Sequence, residues 1–262
     1  MRFDVVTLFP EMFNAITAYG VTGRAFKQGL AEVQFHNPRD YVGDSEGAKN
    51  VSPLQAPFQR VDDKSYGGGP GMVMQVAPLR KALRAAQGAL PKARVIYLSP
   101  QGPRLTQTKI EALLKCSRLV LLAGRYEGID NRVLEHDVDE ELSLGDFVLS
   151  GGECAAMCLM DGIIRLLPGV LGSDESAVVE SFTQGLLDHP HYTRPETIDG
   201  QSVPPVLLTG DHAQVARWRL QQRLWLTYHK RPDLFAQYAM NKEERQLLED
   251  FLKQRGEEIA IL

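Results

Sequence analysis

The sequence predicts an α/β protein followed by a small all-helical part, on three observations. Apolar runs end repeatedly in glycine turns, stretches of helical spacing alternate with those runs, and past residue 168 the composition changes before three further helices begin.

Arg2 to Leu8 alternates as a strand does, Pro10 to Ala18 has helical spacing, and Ala31 to His36 alternates again before Asn37-Pro38. Residues 40–58 are polar, carry Gly43, Gly47, Pro53 and Pro57, and read as a mobile insertion. Pro78 to Ala89 is helical through Leu79, Ala82, Leu83 and Ala86, and Thr106 to Leu114 is a second helix lying between the strands Val95–Leu98 and Leu119–Ala123. This is a βαβ pattern. Phe147–Leu149 reads as a third apolar strand, and Ala155 to Leu167 as a helix ended by Pro168. From Gly169 to Pro205 glycine, serine, acids and proline replace apolar periodicity, which makes a linker. Asp211–Tyr228, Pro232–Met240 and Lys242–Gln254 then read as helices, the last with Glu243 and Glu244 at its amino end, where the helix dipole favours acids. The predicted division is 1–168, a linker at 169–205, and 206–262.

A chain of 262 residues with 44% hydrophobic content can bury a large core. No apolar run approaches the roughly 18 residues that a membrane helix needs, and Met1-Arg-Phe-Asp4 lacks a secretory apolar stretch. A soluble cytoplasmic protein without a membrane partner is expected. Cys116, Cys154 and Cys158 have no metal-binding spacing; Cys154 and Cys158 share one helical face and are expected as core-packing thiols.

A net charge of −4 excludes a protein that coats nucleic acid by bulk electrostatics. Positive charge is local instead: Arg217, Arg219, Arg223, Lys230 and Arg231 lie between Asp211 and Asp233 with no acid among them. On a helix Arg219, Arg223 and Lys230 form one stripe within roughly 40°, with Trp218 and Trp225 on the other side. Such a stripe is either a solvated face above a packed aromatic one or a phosphate contact.

The three apolar runs lead into Ser99-Pro-Gln-Gly102, Gly124-Arg-Tyr-Glu-Gly-Ile-Asp130 and Ser150-Gly-Gly-Glu153. Glycines at the carboxyl ends of strands let the backbone approach a ligand, and three such turns suggest one composite pocket. It offers backbone donors and acceptors without a cationic phosphate clamp, which suits S-adenosylmethionine better than NAD or ATP. Gly67-Gly-Gly-Pro-Gly71 lacks the lysine and Ser/Thr of a phosphate loop and is either a flexible turn or a pocket border.

These turns, together with Leu8-Phe-Pro-Glu-Met-Phe13, Tyr19-Gly-Val-Thr-Gly-Arg24, Tyr66-Gly-Gly-Gly-Pro-Gly-Met72 and Gly185-Leu-Leu-Asp-His-Pro-His-Tyr-Thr-Arg-Pro195, resemble the bacterial tRNA (guanine-37-N1)-methyltransferases of the SPOUT class over nearly the whole chain. The resemblance implies a trefoil-knotted methyltransferase domain with a small carboxy-terminal helical domain, a homodimer, S-adenosyl-L-methionine as donor, and tRNA with guanine at position 37 as substrate. It implies cofactor contacts from Tyr97, Leu98, Ser99 and Pro100, from Gly124, Tyr126, Glu127 and Gly128, and from Leu144, Gly145, Val148, Leu149, Gly151 and Gly152. Arg219, Arg223 and Lys230 become tRNA contacts, and the loop at Gly67–Gly71 borders the guanine pocket.

Guanine N1 carries a proton, so its methylation needs a general base, and the charge that then spreads to O6 calls for a cation. Arg165 matches the family's arginine, with a helix-end arginine on a carboxylate or in solvent as the plainer reading. Where the family has aspartate before Ser-Phe, this chain reads Val178-Val-Glu-Ser-Phe182, which makes Glu180 the candidate base and leaves Asp174 and Glu175 as alternatives. Magnesium (Mg2+) is a candidate assistant, although no metal cage is visible; His189 and His191 sit in a proline-rich turn without further nearby ligands. A ribose 2′-O-methyltransferase of the same class and a noncatalytic RNA-binding adaptor are the rival readings.

Overall fold

The computed structural model describes residues 1–42, 60–88, 93–172 and 180–257, so the expected insertion falls outside the described residues beyond its first three positions. The chain divides into two compact units, Met1–Gly172 and Ser173–Leu262.

The first unit opens with β1 (Arg2–Val6), a 3₁₀ turn at Pro10–Phe13, α1 (Asn14–Thr17), α2 (Gly20–Lys27) and β2 (Glu32–His36). A short hairpin follows, β3 (Asp62–Asp63) with β4 (Val73–Met74), and then α3 (Val76–Gln87) and β5 (Arg94–Leu98). The remainder is α4 (Gln107–Leu114), β6 (Arg118–Ala123), α5 (Asn131–Asp137), β7 (Glu140–Leu142) and α6 (Glu153–Ile164).

Five strands form one sheet in the order β2-β1-β6-β5-β7, every neighbouring pair parallel. A parallel sheet needs helical crossovers and is covered on both faces, which is why Leu119–Ala123 reads as an unbroken apolar run. Side chains alternate between the faces. Phe3, Val5, Leu119 and Leu121 pack with Leu159 and Ile163 of α6, whereas Val6, Val95, Val120 and Leu122 pack with Leu79 and Leu83 of α3 and Val133 of α5. The register pairs Arg2 with Arg118, Leu98 with Ala123, and Leu98 with Leu142. Leu98, Ala123 and Leu142 therefore end side by side, and the chain leaves all three at one rim of the sheet.

The third strand is not Phe147–Leu149 as expected. Those residues lie in a loop, Val148 is 85% exposed, and the sheet is completed by β7, a short edge strand whose Glu140 and Glu141 hid it from an apolar scan. Cys154 and Cys158 are also not core thiols: Ala155, Ala156, Leu159 and Met160 take the buried side of α6, which turns both cysteines to the exposed side. Pro10 to Ala18 splits into a 3₁₀ turn and one turn of α-helix.

In the second unit β8 (Thr197–Ile198) and β9 (Gln201–Ser202) make a hairpin across Asp199 and Gly200, which both have positive φ, as a two-residue hairpin turn demands. A 3₁₀ turn at Pro205–Leu208 leads to α7 (His212–Lys230), α8 (Pro232–Phe235) and α9 (Lys242–Arg255). Asp211 caps α7 by accepting the N–H groups of Ala213 and Gln214, each at 3.0 Å. Asn241 and Glu244 cap α9 reciprocally, each accepting the other's backbone N–H at 2.9 Å. The core is Leu186, Leu224, Leu247, Leu248 and Leu252. The helix expected over Pro232–Met240 stops at Phe235, and beyond it Tyr238 donates to Glu244 Oε1 at 2.8 Å.

Candidate active site

Each strand ending at the rim passes into a turn whose glycines are required by contact. At the end of β6, a methyl group on Gly124 would lie 2.8 Å from the Tyr97 ring and hydroxyl. Tyr126 follows with φ 61° and Gly128 with φ 126°, and the Gly128 N–H closes the turn on the Arg125 carbonyl at 3.2 Å. This turn is zipped to the glycine loop before β4: the Glu127 N–H donates to Met72 O at 2.9 Å, Met74 N–H to Gly128 O at 3.0 Å, and Asp130 N–H to Met74 O at 3.2 Å. Gly67, Gly68, Gly69 and Gly71 all have positive φ, and a side chain at Gly71 would overlap Glu127.

After β5, Ser99 donates its N–H to Leu142 O at 3.0 Å, and a methyl group on Gly102 would come within 2.5 Å of the Glu141 backbone. After β7, the Ser143 hydroxyl accepts the Gly145 N–H at 3.1 Å and the loop returns to Gly152, whose N–H donates to Gly124 O at 2.9 Å. A methyl group on Gly152 would sit 2.8 Å from Ala123 Cα. The third segment thus lies directly on the end of β6, and only glycine lets two backbones run so close.

The three turns enclose a cavity of about 210 Å³. Its walls contain every residue expected at the cofactor, from Tyr97, Leu98, Ser99 and Pro100 through Gly124, Tyr126, Glu127 and Gly128 to Leu144, Gly145, Val148, Leu149, Gly151 and Gly152. They also contain Arg125, Leu142, Ser143, Phe147 and Ala155, which the sequence did not single out. Burial, and then the nearby Glu141 carboxylate, push the Tyr97 phenol up to about 12, so it stays neutral at physiological pH.

Arg125 is the one cation of the lining, and it is committed. Its Nε lies 2.9 Å from Glu153 Oε2 as an ion pair off the hydrogen-bond line, its Nη1 donates to Ser150 O at 3.1 Å, and its guanidinium stacks on Phe9 with 4.6 Å from Cζ to the ring centroid. Glu153 is 0% exposed at the amino end of α6 and accepts a hydrogen bond from Thr7 Oγ1 at its other oxygen, Oε1, at 2.9 Å. The helix terminus favours this carboxylate.

A model of the tRNA (Guanine-1)-methyltransferase TrmD family matches residues 1–237. The chain belongs to that family. It is similar to a protein of Marinomonas sp. named tRNA (guanine-N(1)-)-methyltransferase, 52% identical over 97% of each chain. Proteins of the same name from Shewanella sediminis, 54% identical over 97% of this chain and 100% of the relative, and from Pseudomonas putida, 53% identical over 98% of each, are similarly related.

Not every residue expected from the methyltransferase resemblance lies at the cavity. Arg165 is the residue after α6, half-buried in a shallow depression with Tyr19, Thr22, Asp161 and Leu171. The length of α6, roughly 18 Å at 1.5 Å per residue, separates it from Glu153. Glu180 belongs to the second unit, where its carbonyl accepts the Thr183 hydroxyl at 2.8 Å. Two residues on, Phe182 holds φ 77°, a conformation costly for a large side chain. It is kept there by its N–H donating to Leu186 O at 2.9 Å. Asp174 and Glu175 lie outside the described residues.

The expected basic stripe on α7 is interrupted. Arg219 and Lys230 are exposed, but Arg223 is 6% exposed, donating from Nη1 to Gln184 Oε1 at 2.9 Å and from Nε to Leu187 O at 3.3 Å. Residues 184–187 lie against this side of the helix, and their polar groups need donors there, so Arg223 is an internal tie and not part of an open basic face. His189 and His191 do have a further ligand beside them, Asp188, which precedes them in the same turn.

Proposed function

We propose that this chain is an S-adenosylmethionine-dependent tRNA (guanine-N1)-methyltransferase acting on guanine 37. The observation that carries this reading is the cavity of three glycine turns in a chain of the tRNA (guanine-1)-methyltransferase family. A Cβ at Gly124 would strike the Tyr97 ring that lines the cavity and one at Gly152 the backbone at Ala123, so both glycines hold the turns closed around it, and Arg125, tied to Glu153, offers no free charge for a phosphate chain. Glu127 is the single carboxylate of the lining, and it suits a cationic sulfonium. When bound, the cofactor supplies an electrophilic methyl group.

The chain's own residues do the rest. Backbone groups of 97–100, 124–128 and 144–152 hold and orient the donor, Glu180 takes the N1 proton of a guanine drawn out of the stack, and Arg165 steadies the charge that moves to O6. The lining residues all lie in the first unit, and Arg165 stands a helix length from them, which supports a homodimer in which the second copy contributes to each site. The close backbone contacts of Gly152 with Ala123 and of Gly102 with Glu141 support the trefoil threading. Residues 206–262 would form the tRNA-binding helical domain, with Arg219 and Lys230 on phosphates. Glu127 offers magnesium one oxygen at the cavity and no cage, so no step is routed through a metal. No helix among the described residues is long and apolar enough to cross a membrane, and a tRNA substrate supports a cytoplasmic enzyme.

The test is methylation of a G37 transcript against an A37 transcript, with the methyl group mapped by nuclease digestion and mass spectrometry. A methyl on N1 of G37 alone is the expected result. Transfer to A37, or to a ribose 2′-hydroxyl, would refute it.

A further inference from the structure

Asp188, His189 and His191 bring three ligand atoms within 4.8 Å of one another, the one such group among the described residues. The sequence Asp188-His-Pro-His191 explains the arrangement. Pro190 keeps the chain out of a helix, and residues two apart in an extended backbone project to the same side. The two imidazole centroids are 4.5 Å apart.

The proton inventory is informative. His189 Nδ1 lies 3.1 Å from the Pro190 carbonyl, which can only accept, so the ring's proton sits on Nδ1 and Nε2 keeps its lone pair. That lone pair faces Asp188 Oδ1 at 3.8 Å, too far for a hydrogen bond. His191 Nε2 donates to the other carboxylate oxygen, Oδ2, at 2.9 Å, a proton that a bound ion would displace. Asp188 Oδ1, which also accepts the His189 N–H at 2.7 Å, and His189 Nε2 are 3.8 Å apart, which leaves room for an ion held at roughly 2.0–2.2 Å from both. The carbonyl on His189 Nδ1 is also the kind of outer partner that fixes the tautomer of a metal-bound histidine.

Access and rigidity fit as well. His189 is buried, with Trp218 of α7 at 6.3 Å between centroids, whereas the His191 side chain is 71% exposed and leaves a route from water. Two imidazoles with one carboxylate favour a borderline divalent ion over magnesium or calcium, which prefer all-oxygen shells. We propose that Asp188, His189 and His191 form a binding site for a divalent transition-metal ion of the zinc class, with a fourth position open to water. The ion would brace the turn that begins beside Glu180, since the Asp188 N–H already donates to Ser181 Oγ at 2.9 Å.

The test is a binding measurement, independent of methyl transfer. The full chain, stripped with a chelator, is titrated with Co2+ and followed by visible absorption, and Zn2+ is then added in competition. One Co2+ per chain with the intense bands of four- or five-coordination, displaced by Zn2+, is expected. His191→Ala, at an exposed position that should leave the fold intact, should weaken Co2+ binding on the order of tenfold or more, with Asp188→Asn as a second variant. His212→Ala, a histidine outside the cluster, should change nothing. A spectrum that remains that of aqueous Co2+ would overturn the proposal. So would equal binding by the His191→Ala and parent chains, which would mark adventitious surface binding.

Discussion

Arg125 and Glu153 are joined by a buried ion pair, 2.9 Å from Nε to Oε2, that ties the second glycine turn to the first residue of α6. Removing one partner leaves the other charge without compensation inside the protein. Glu153→Gln should cost about 3 kcal/mol of stability, read as a lower urea midpoint, and should weaken S-adenosylmethionine binding measured by titration calorimetry. Unchanged values of both would show that Ser150, Met12 and solvent satisfy Arg125 without the acid.

The glycines of the cavity should differ in what they break. Gly124→Ala collides with the Tyr97 side chain, which can move into the cavity, so the fold should survive while the cofactor-induced rise in Tm is lost. Gly152→Ala collides with the backbone at Ala123, which has nowhere to go, and should lower Tm in the absence of any ligand. Thermal scans with and without S-adenosylmethionine separate the two outcomes, and a full cofactor shift for Gly124→Ala would misplace the site.

Glu180→Gln removes the basic lone pair while keeping the shape, so single-turnover methylation at saturating cofactor should fall on the order of a hundredfold. Glu180→Asp should retain activity. Near-normal turnover by Glu180→Gln alongside a collapse for Asp174→Asn or Glu175→Gln would move the base to a neighbour.

The arginines of α7 should part company. Changing Arg219 and Lys230 together to alanine should weaken tRNA binding and reduce its salt slope by roughly 1–2, since each phosphate contact releases counterions. Arg223→Ala should instead cost about 2 kcal/mol of folding stability through its lost bonds to Leu187 and Gln184. An Arg223→Ala chain of normal stability and poor tRNA affinity would restore the continuous stripe.

Acid should act through Asp4 on β1, between β2 and β6. Burial alone would push its carboxyl up, but bonds from Arg2, Arg118 and His36 outweigh burial and hold it at about 2, below the ordinary 3.8. A depressed folded-state value means the stabilisation, about 2 kcal/mol, is complete above the ordinary value and is lost as pH falls toward 2. Asp4→Asn should lower stability at neutral pH and flatten the loss of Tm between pH 4 and pH 2; a parallel curve would assign acid unfolding to other groups.

What the sequence made legible followed from how strongly each element is constrained locally. β5 and β6 are buried on both faces and announce themselves as apolar runs, and their glycine turns mark the rim where the cavity lies. β7 carries two glutamates on a three-residue edge strand, so its position is set by pairing with β5 and not by its own pattern. Phe147, Val148 and Leu149 are apolar yet exposed, because cavity walls use the same residues as strands. Arg223 looked equivalent to Arg219 because helical spacing cannot reveal that residues 184–187, some forty positions earlier, cover one side of α7. The pairing of Arg125 with Glu153 spans two turns and could be seen only once those turns were brought together.

The register of β1 against β6 has a consequence for how the chain is made. Arg2 meets Arg118, so β1, once synthesised, finds β2 on one side and nothing on the other until β6 emerges. At the usual pace of synthesis that is a delay of roughly 4–16 seconds, during which Phe3 and Val5 border an unpaired backbone edge. Such an edge invites pairing with another nascent chain, so the risk of misassembly is highest in the interval between the synthesis of β2 and that of β6.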